Sequence, residues 1–323
     1  MSDTRSDVNK SLLPKAELVT ESEALGFKGS LPQTFSEAAK LLSSDSTSVD
    51  DTVLQNRISL APFIRKFHSE ADTLHDYIRD QWTLLSDPAT KLFVSTHQPN
   101  LFAYGGVFKK VVLLETLKKA IENYNGQRII NLFLIIDHDF IDEIWIRRAQ
   151  LPSFHHSSGL LQLRFSEKHS NKWQMVCNVP KPGEATLYSW KREIVSWIKK
   201  SSSSPAQRQK MLDNLNRFWQ EVETAYSKAK SYSDFNSFLM SRVANSMWGY
   251  STLFVRLSEI SQVFKNGFEF LLSNVTLYSN ILRKTEQILS AHGVSTGVSS
   301  TSYKNAPIWF HCKCGSKAPM SLA

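Results

Sequence analysis

Three short stretches of this 323-residue chain bring reactive side chains together. The first is Thr96-His97-Gln98-Pro99-Asn100, followed by Gly105-Gly106 and Lys109-Lys110. His97 titrates near neutral pH, so it can move a proton or donate to a phosphate. Pro99 fixes a turn, and the paired glycines let backbone approach a ligand. The second stretch is Asp137-His138-Asp139, with Asp142 and Glu143 close behind. An imidazole between two carboxylates suits a general base oriented by an acid, and either aspartate could bind a hydroxyl, an amine or a metal. The third is His311-Cys312-Lys313-Cys314-Gly315. A structural zinc takes four ligands, so Cys312 and Cys314 are half of such a site, with Cys177, His155 or His156 as partners that only folding could supply. Each stretch also has a plainer account. His97 and Asn100 can satisfy turn hydrogen bonds, the acidic residues can favour a helix N-terminus, and the cysteines can be free surface thiols.

The flanking segments say how these residues are held. From Lys91 the character changes: LFVST (92–96) is a short apolar, β-rich run that leads directly into His97. A helix is expected from about Val107 to Asn123, with Val107, Val111, Leu114, Leu117 and Ile121 on one face, ended by Asn125-Gly126. Residues 129–136 (IINLFLII) are almost continuously apolar, so both faces of this strand should be covered. Strand, loop, helix and strand in this order define a right-handed βαβ unit in a parallel sheet. LFVRL at 253–257 reads as a third parallel strand, arriving after a helix over 233–247 capped by Ser233 or Asp234. In open α/β sheets ligands bind beyond the carboxyl ends of the strands, where both the histidine and the aspartate stretches fall. Placing three ionisable groups after an apolar strand incurs a desolvation cost unless they are paired or bind something.

The remaining periodicity is mostly helical. A helix is expected over 33–43, and from Val53 to Leu85 apolar residues recur at three- to four-residue steps, with Pro62 starting a second helix or kinking the first. Further helices are expected over 208–228 and 264–292, and strands over 160–165 and 173–179. The fold class is thus α/β, a Rossmann-like parallel-sheet core with inserted segments and long helices. Its expected parts are an N-terminal helical region (1–88), a core (89–265) with an insertion at about 150–230, and a C-terminal helix with the CxCG segment (266–323).

Composition narrows the class. At 41% hydrophobic and 21% charged the chain can bury a core without disulfides. Lys plus Arg is 38 against 30 for Asp plus Glu, but the basic residues are scattered, so an anionic small-molecule partner is favoured over nucleic acid. Three cysteines form no disulfide framework, and the polar N-terminal stretch has no signal-peptide core. A cytoplasmic protein without a membrane span is expected. The glycine patterns of the two commonest phosphate loops, GxGxxG and GxxxxGK[ST], are absent. The helices at 208–228 and 264–292 are candidates for a homodimer seam, and their apolar stripes are equally explained by intrachain packing.

Four segments in order resemble the bacillithiol biosynthesis cysteine-adding enzymes. Thr96-His97-Gln98 through Leu101-Phe102 stands where that family has T-G-Q-Q-x-G-L-F, and Leu134 to Asp139 stands where it has an apolar strand ending in E-D-H-D. Residues 233–255 resemble its helix-then-strand segment, and Arg283 to Phe310 its helix and N-L-F-Y hairpin. Together these span roughly residues 90–315. The resemblance implies a Rossmann-like core related to nucleotidyl-transferring synthetases, and an activity that joins cysteine to a sugar-linked malate. Members are longer than this chain, so part of the family's C-terminal region is missing here. The HQPN form of the loop, with Tyr104, Gly106, Phe108 and Lys110, is more similar to WbqC-like proteins of glycan biosynthesis, and the Cys312-x-Cys314 element also departs from the first family.

These readings converge on a ligase or transferase that joins an amino acid or amine to a small anionic acceptor. His97, Asp137, His138 and Asp139 would be catalytic. Thr96, Gln98, Asn100, Gly105, Gly106, Lys109 and Lys110 would bind an anionic or ADP/ATP-like ligand, with zinc at Cys312 and Cys314. The alternatives are an RNA- or protein-binding module with a zinc-knuckle-like end, or a WbqC-like glycan-biosynthesis protein.

Overall fold

A computed structural model of the chain describes residues 32–44, 49, 51–142, 144–166, 173–202, 204–291, 293 and 305–321; Glu143 lies outside them. The chain divides into two compact units. The larger comprises Phe35–Phe264 and the segment His311–Lys317; the smaller comprises Met1–Thr34, Lys265–Phe310 and Ala318–Ala323.

The larger unit starts with four helices, α1 (Phe35–Ser44), α2 (Asp51–Ser59), α3 (Ala61–Glu70) and α4 (Asp76–Thr83). Pro62 stands in the first turn of α3, where its missing N–H costs nothing, so it starts a helix rather than kinking one. The sheet follows: β1 (Lys91–His97), α5 (Gly105–Asn125) and β2 (Ile129–Ile135). Gly126 ends α5 in the left-handed conformation, φ 73°, its N–H bonded to the Glu122 carbonyl. The third strand, β5 (Leu253–Arg256), pairs parallel with β2, giving the order β1-β2-β5.

Alternation along β2 explains why it is apolar at every position but Asn131. Ile130 and Leu132 pack on one face with Leu253, Val255, Ile64 and Ile78. Phe133 and Ile135 pack on the other with Phe254, Phe67, Val107 and Val111. Helices therefore cover both faces, as the run of apolar residues requires. α3 packs against β5, and the helices from Phe35 onward belong to the same compact unit as the sheet.

The inserted stretch contains an antiparallel hairpin, β3 (Arg148–Pro152) and β4 (Leu160–Arg164), then α6 (Glu184–Ser201) and α7 (Pro205–Lys228). β3 was not among the strands expected from the sequence. The apolar residues of α7, Leu215, Trp219, Val222 and Ala225, are buried inside the unit, so its stripe is spent on intrachain packing. Residues 173–179 do not form the expected strand. Met175 makes one bridge to Phe140, and Val176–Asn178 is a 3-10 turn, because its N–H groups go to the aspartate loop instead of a strand partner. Helix α8 (Tyr232–Ser241) is capped by Ser231, which forms a reciprocal capping box with Asp234; Ser233 lies inside the helix. A π-helical turn over Arg242–Met247 leads to β5.

The smaller unit carries α9 (Lys265–Ser273), α10 (Val275–Ala291) and the strands β6 (Asn305–His311) and β7 (Lys317–Ser321), whose connecting tip belongs to the larger unit. The single helix expected over 264–292 is interrupted for one residue at Asn274, whose side-chain amide donates to the Phe270 carbonyl at 2.8 Å beside its own N–H at 3.1 Å. Among the described residues no helix is long and apolar enough to cross a membrane.

Candidate active site

Register sets the site. His97, Ile135 and Arg256 are direct neighbours across the three strands, so the sheet ends in one row and the next residues of each strand emerge side by side. Beyond β1 the chain turns sharply. The Asn100 N–H donates to the Gln98 carbonyl, and the Leu101 N–H to that of Ile146. Phe102 and Ala103 both adopt positive φ, 51° and 28°, which costs on the order of 1–3 kcal/mol each for non-glycine residues. The Phe102 ring compensates by packing edge-on against Trp190, Phe218 and Phe235, and its N–H donates to Asn236 Oδ1 at 3.1 Å.

That turn orients His97. Its Nδ1 lies 3.1 Å from the Gln98 carbonyl, which can only accept, so the proton sits on Nδ1. Nε2 is then the acceptor, and it faces the Tyr104 hydroxyl at 3.3 Å. Burial pushes the imidazole below its ordinary value, and the Lys110 charge adds to this, so the ring is neutral at pH 7. A Cβ at position 106 would collide with the Tyr104 ring, which explains Gly106; a Cβ at Gly105 would meet open space. Tyr104 precedes α5 without capping it, so the helix presents an uncapped N-terminus beside His97, an arrangement that favours an anion.

The aspartate stretch divides between two directions. Asp139 accepts from Gln98 Nε2 at 2.9 Å and from Lys317 Nζ at 2.8 Å. Burial raises its carboxyl, but these two donors overcome it and hold the group below the usual carboxylate range. Asp137 is fully buried and accepts from the Ser258 N–H at 2.9 Å and the Ser258 hydroxyl at 2.5 Å. Burial raises its carboxyl, with the Ser258 bonds opposing. The His138 ring packs on His311 with 5.5 Å between centroids; burial, then the Lys317 charge, pushes it down to about 4. The 3-10 turn clasps this loop from outside. The Val176 N–H donates to the Asp139 carbonyl, that of Cys177 to Asp137, and that of Met175 to Gly315 in the hairpin tip.

Two cavities open at the strand ends. One, of about 620 Å³, is lined by His97, Gln98, Asn100, Tyr104, Asp139 and Arg148, with Trp145 on its wall. The other, of about 780 Å³, is lined by Asp137, Cys177, Arg256 and Ser258 among others. Of the expected catalytic residues, His97 and Asp139 therefore share a cavity, Asp137 faces the second, and His138 lines neither. Asn100 faces the first cavity and anchors the loop through Nδ2 to the Trp145 carbonyl at 2.7 Å. Thr96 and Lys110 have structural partners: the Thr96 hydroxyl donates to the Leu134 carbonyl and Lys110 Nζ to the Thr96 carbonyl. Lys109 borders a shallow apolar depression with Phe35 and Phe108, away from His97.

Sequence reasoning missed Arg148, Trp145, Ser258, Arg256 and Lys317. Arg256 left a signal, a charge at the end of an apolar strand. Lys317 left none, because it meets Asp139 only when the hairpin tip returns from 178 residues away. At that tip the Cys314 N–H lies 3.3 Å from Cys312 Sγ. Among the described residues no group of three or more His, Cys, Asp or Glu side chains is placed to hold a metal ion, so Cys312 and Cys314 are not joined there by the further ligands that a structural zinc takes. Comparison with known proteins finds no family model and no curated protein that matches this sequence.

Proposed function

We propose that this protein is a ligase or transferase of the cysteine-adding type, joining an amino acid to the amine of a small, anionic, sugar-linked acceptor in the His97 cavity. The observation that carries this reading is the convergence of a neutral imidazole, an ionised carboxylate and a guanidinium on one space of about 620 Å³.

Each group has a part. Arg148, its guanidinium 4.8 Å from the Trp145 ring centroid, takes the acceptor's carboxylates, and the exposed Trp145 and Tyr104 rings flank the sugar. Asp139 orients the acceptor's neutral amine by accepting from one of its N–H groups. As the new C–N bond forms at the amino acid's activated carboxyl carbon, the amine loses a proton to His97 Nε2, and the activating group leaves with the C–O electron pair. An ADP/ATP-like nucleotide would supply that activation when bound, its phosphates at the uncapped N–H groups of Gly105 and Gly106. A homodimer through α10 belongs to the same proposal.

The test is product formation. Wild type incubated with glucosaminyl malate, cysteine and ATP should yield the condensed product by mass spectrometry, and His97→Ala should not. Absence of product from wild type with every nucleotide tried would overturn the reading.

A further inference from the structure

The three cysteines differ in how open they are to reagents. Cys177 is half-buried. Burial, with the Asp137 charge adding, pushes its thiol up to about 12, so it stays protonated and inert at pH 7. Cys312 and Cys314 stand together in the hairpin tip, within the larger unit, with only Lys313 between them. The Cys312 N–H donates to the Ser316 carbonyl at 2.8 Å and the Gly315 N–H to the Cys312 carbonyl at 3.0 Å, so the tip is a tight turn. Gly315 closes it at φ 89°, in the region open to glycine. The Met175 N–H and the Asn178 amide fasten the turn through the Gly315 carbonyl, at 2.8 and 3.4 Å. Held in this way, the Cys314 N–H lies 3.3 Å from Cys312 Sγ. Residues two apart are separated by about 7 Å in extended chain and by less in a turn, which brings the pair within the span of a disulfide. Their exposure is unequal: Cys314 is exposed and Cys312 half-buried. The Cys312 thiol and the Ser316 N–H hold the Cys314 thiol below its ordinary value, and the exposed Lys313 adds a positive neighbour.

We propose that Cys312 and Cys314 form an exchange-active dithiol whose substrates are small disulfides. Cys314, the exposed thiol, attacks first. Its sulfur bonds to one sulfur of RSSR, the S–S bond of RSSR breaks, and the departing thiolate takes the proton that Cys314 gave up. Cys312 then attacks Cys314 Sγ in the mixed disulfide, and its proton leaves with the second thiol. The pair is oxidised by two electrons to the Cys312–Cys314 disulfide, and RSSR is reduced to two RSH. A metal would need further ligands, and among the described residues no third His, Cys, Asp or Glu side chain joins the pair. The site is independent of the reaction at His97.

Peptide mass spectrometry tests this on the whole chain, first reduced, then exposed to bis(2-hydroxyethyl) disulfide and quenched with N-ethylmaleimide. In wild type the peptide carrying both tip cysteines should emerge unalkylated and short of two hydrogens, and Cys177 should carry no hydroxyethylthio group. Cys312→Ser should stop at the mixed disulfide on Cys314. Cys314→Ser should react roughly tenfold or more slowly, because the half-buried thiol is left to attack. Mixed disulfides that persist on both cysteines of wild type would overturn the proposal, as would equal rates in the two variants. So would zinc bound one to one in the purified protein and lost in Cys312→Ser, which would make the pair metal ligands.

Discussion

Lys317 shows how one side chain sets the state of several others. It is almost wholly buried, bonds Asp139 at 2.8 Å and lies 5.1 Å from the centroid of the Phe140 ring. Replacing it with methionine removes a positive charge that helps hold His138 down. In Lys317→Met, His138 should therefore titrate above its wild-type value of about 4, readable as a shift of its imidazole resonance with pH. An unchanged titration would show that burial alone sets it. His97 gives a second prediction with a definite sign. Its pKa lies below the ordinary 6.5, so the proton-accepting neutral ring persists above that lowered value and is lost as pH falls through it. The acid limb of the rate profile should lie below pH 6.5; a limb above 6.5 would remove His97 from the base role.

Among the elements, β5 is tied to α3 by a buried polar chain. The Phe254 N–H donates to His68 Nε2 at 3.0 Å, which leaves the proton on Nδ1, 2.8 Å from the Thr73 hydroxyl. Thr73 contacts Ser241 at 3.0 Å, and Ser241 donates to Asn245 Oδ1 at 2.8 Å. His68→Leu strands the Phe254 N–H, while the Thr73 hydroxyl keeps its bond to Ser241, at a cost of about 1–3 kcal/mol. The same histidine makes stability pH-dependent. Burial pushes it down to about 3 in the folded state, against an ordinary 6.5. Between those values the unfolded chain binds a proton that the folded chain excludes, so stability present above pH 6.5 falls on acidification. The loss should reach roughly 2–3 kcal/mol by pH 4.5, and denaturant titrations should find that share missing in His68→Leu. The three parallel strands were legible because an apolar run bounded by turns has few other uses. β3 was missed although Arg148-Ala149-Gln150-Leu151 alternates polar and apolar residues, because the run is short and ends in Pro152. The 3-10 turn at 176–178 is fixed by long-range bonds to the aspartate loop, which local pattern does not contain. Half of the site was legible for the same reason: His97 and Asp139 follow strands, whereas Arg148 and Lys317 arrive from elsewhere.

For the molecule as a whole, the charge excess of +8 bears on the anionic acceptor proposed for the His97 cavity, since long-range attraction is screened by salt. The smaller unit bears on assembly. Leu277, Ile281 and Ile288 of α10 are each about half exposed and recur at steps of four and seven residues, which puts them on one face. A dimer through that face should dissociate in Leu277→Asp with Ile281→Asp, seen as a halved mass by sedimentation; a wild type that sediments as a monomer would contradict it.

The most direct measurement is a calorimetric titration of glucosaminyl malate into wild type, His97→Ala and Arg148→Ala. Wild type should bind, and each variant should lose roughly tenfold to a hundredfold, as expected for removing a hydrogen bond to a charged group. Binding that is equally tight in all three proteins would contradict the placement of the acceptor at the end of β1.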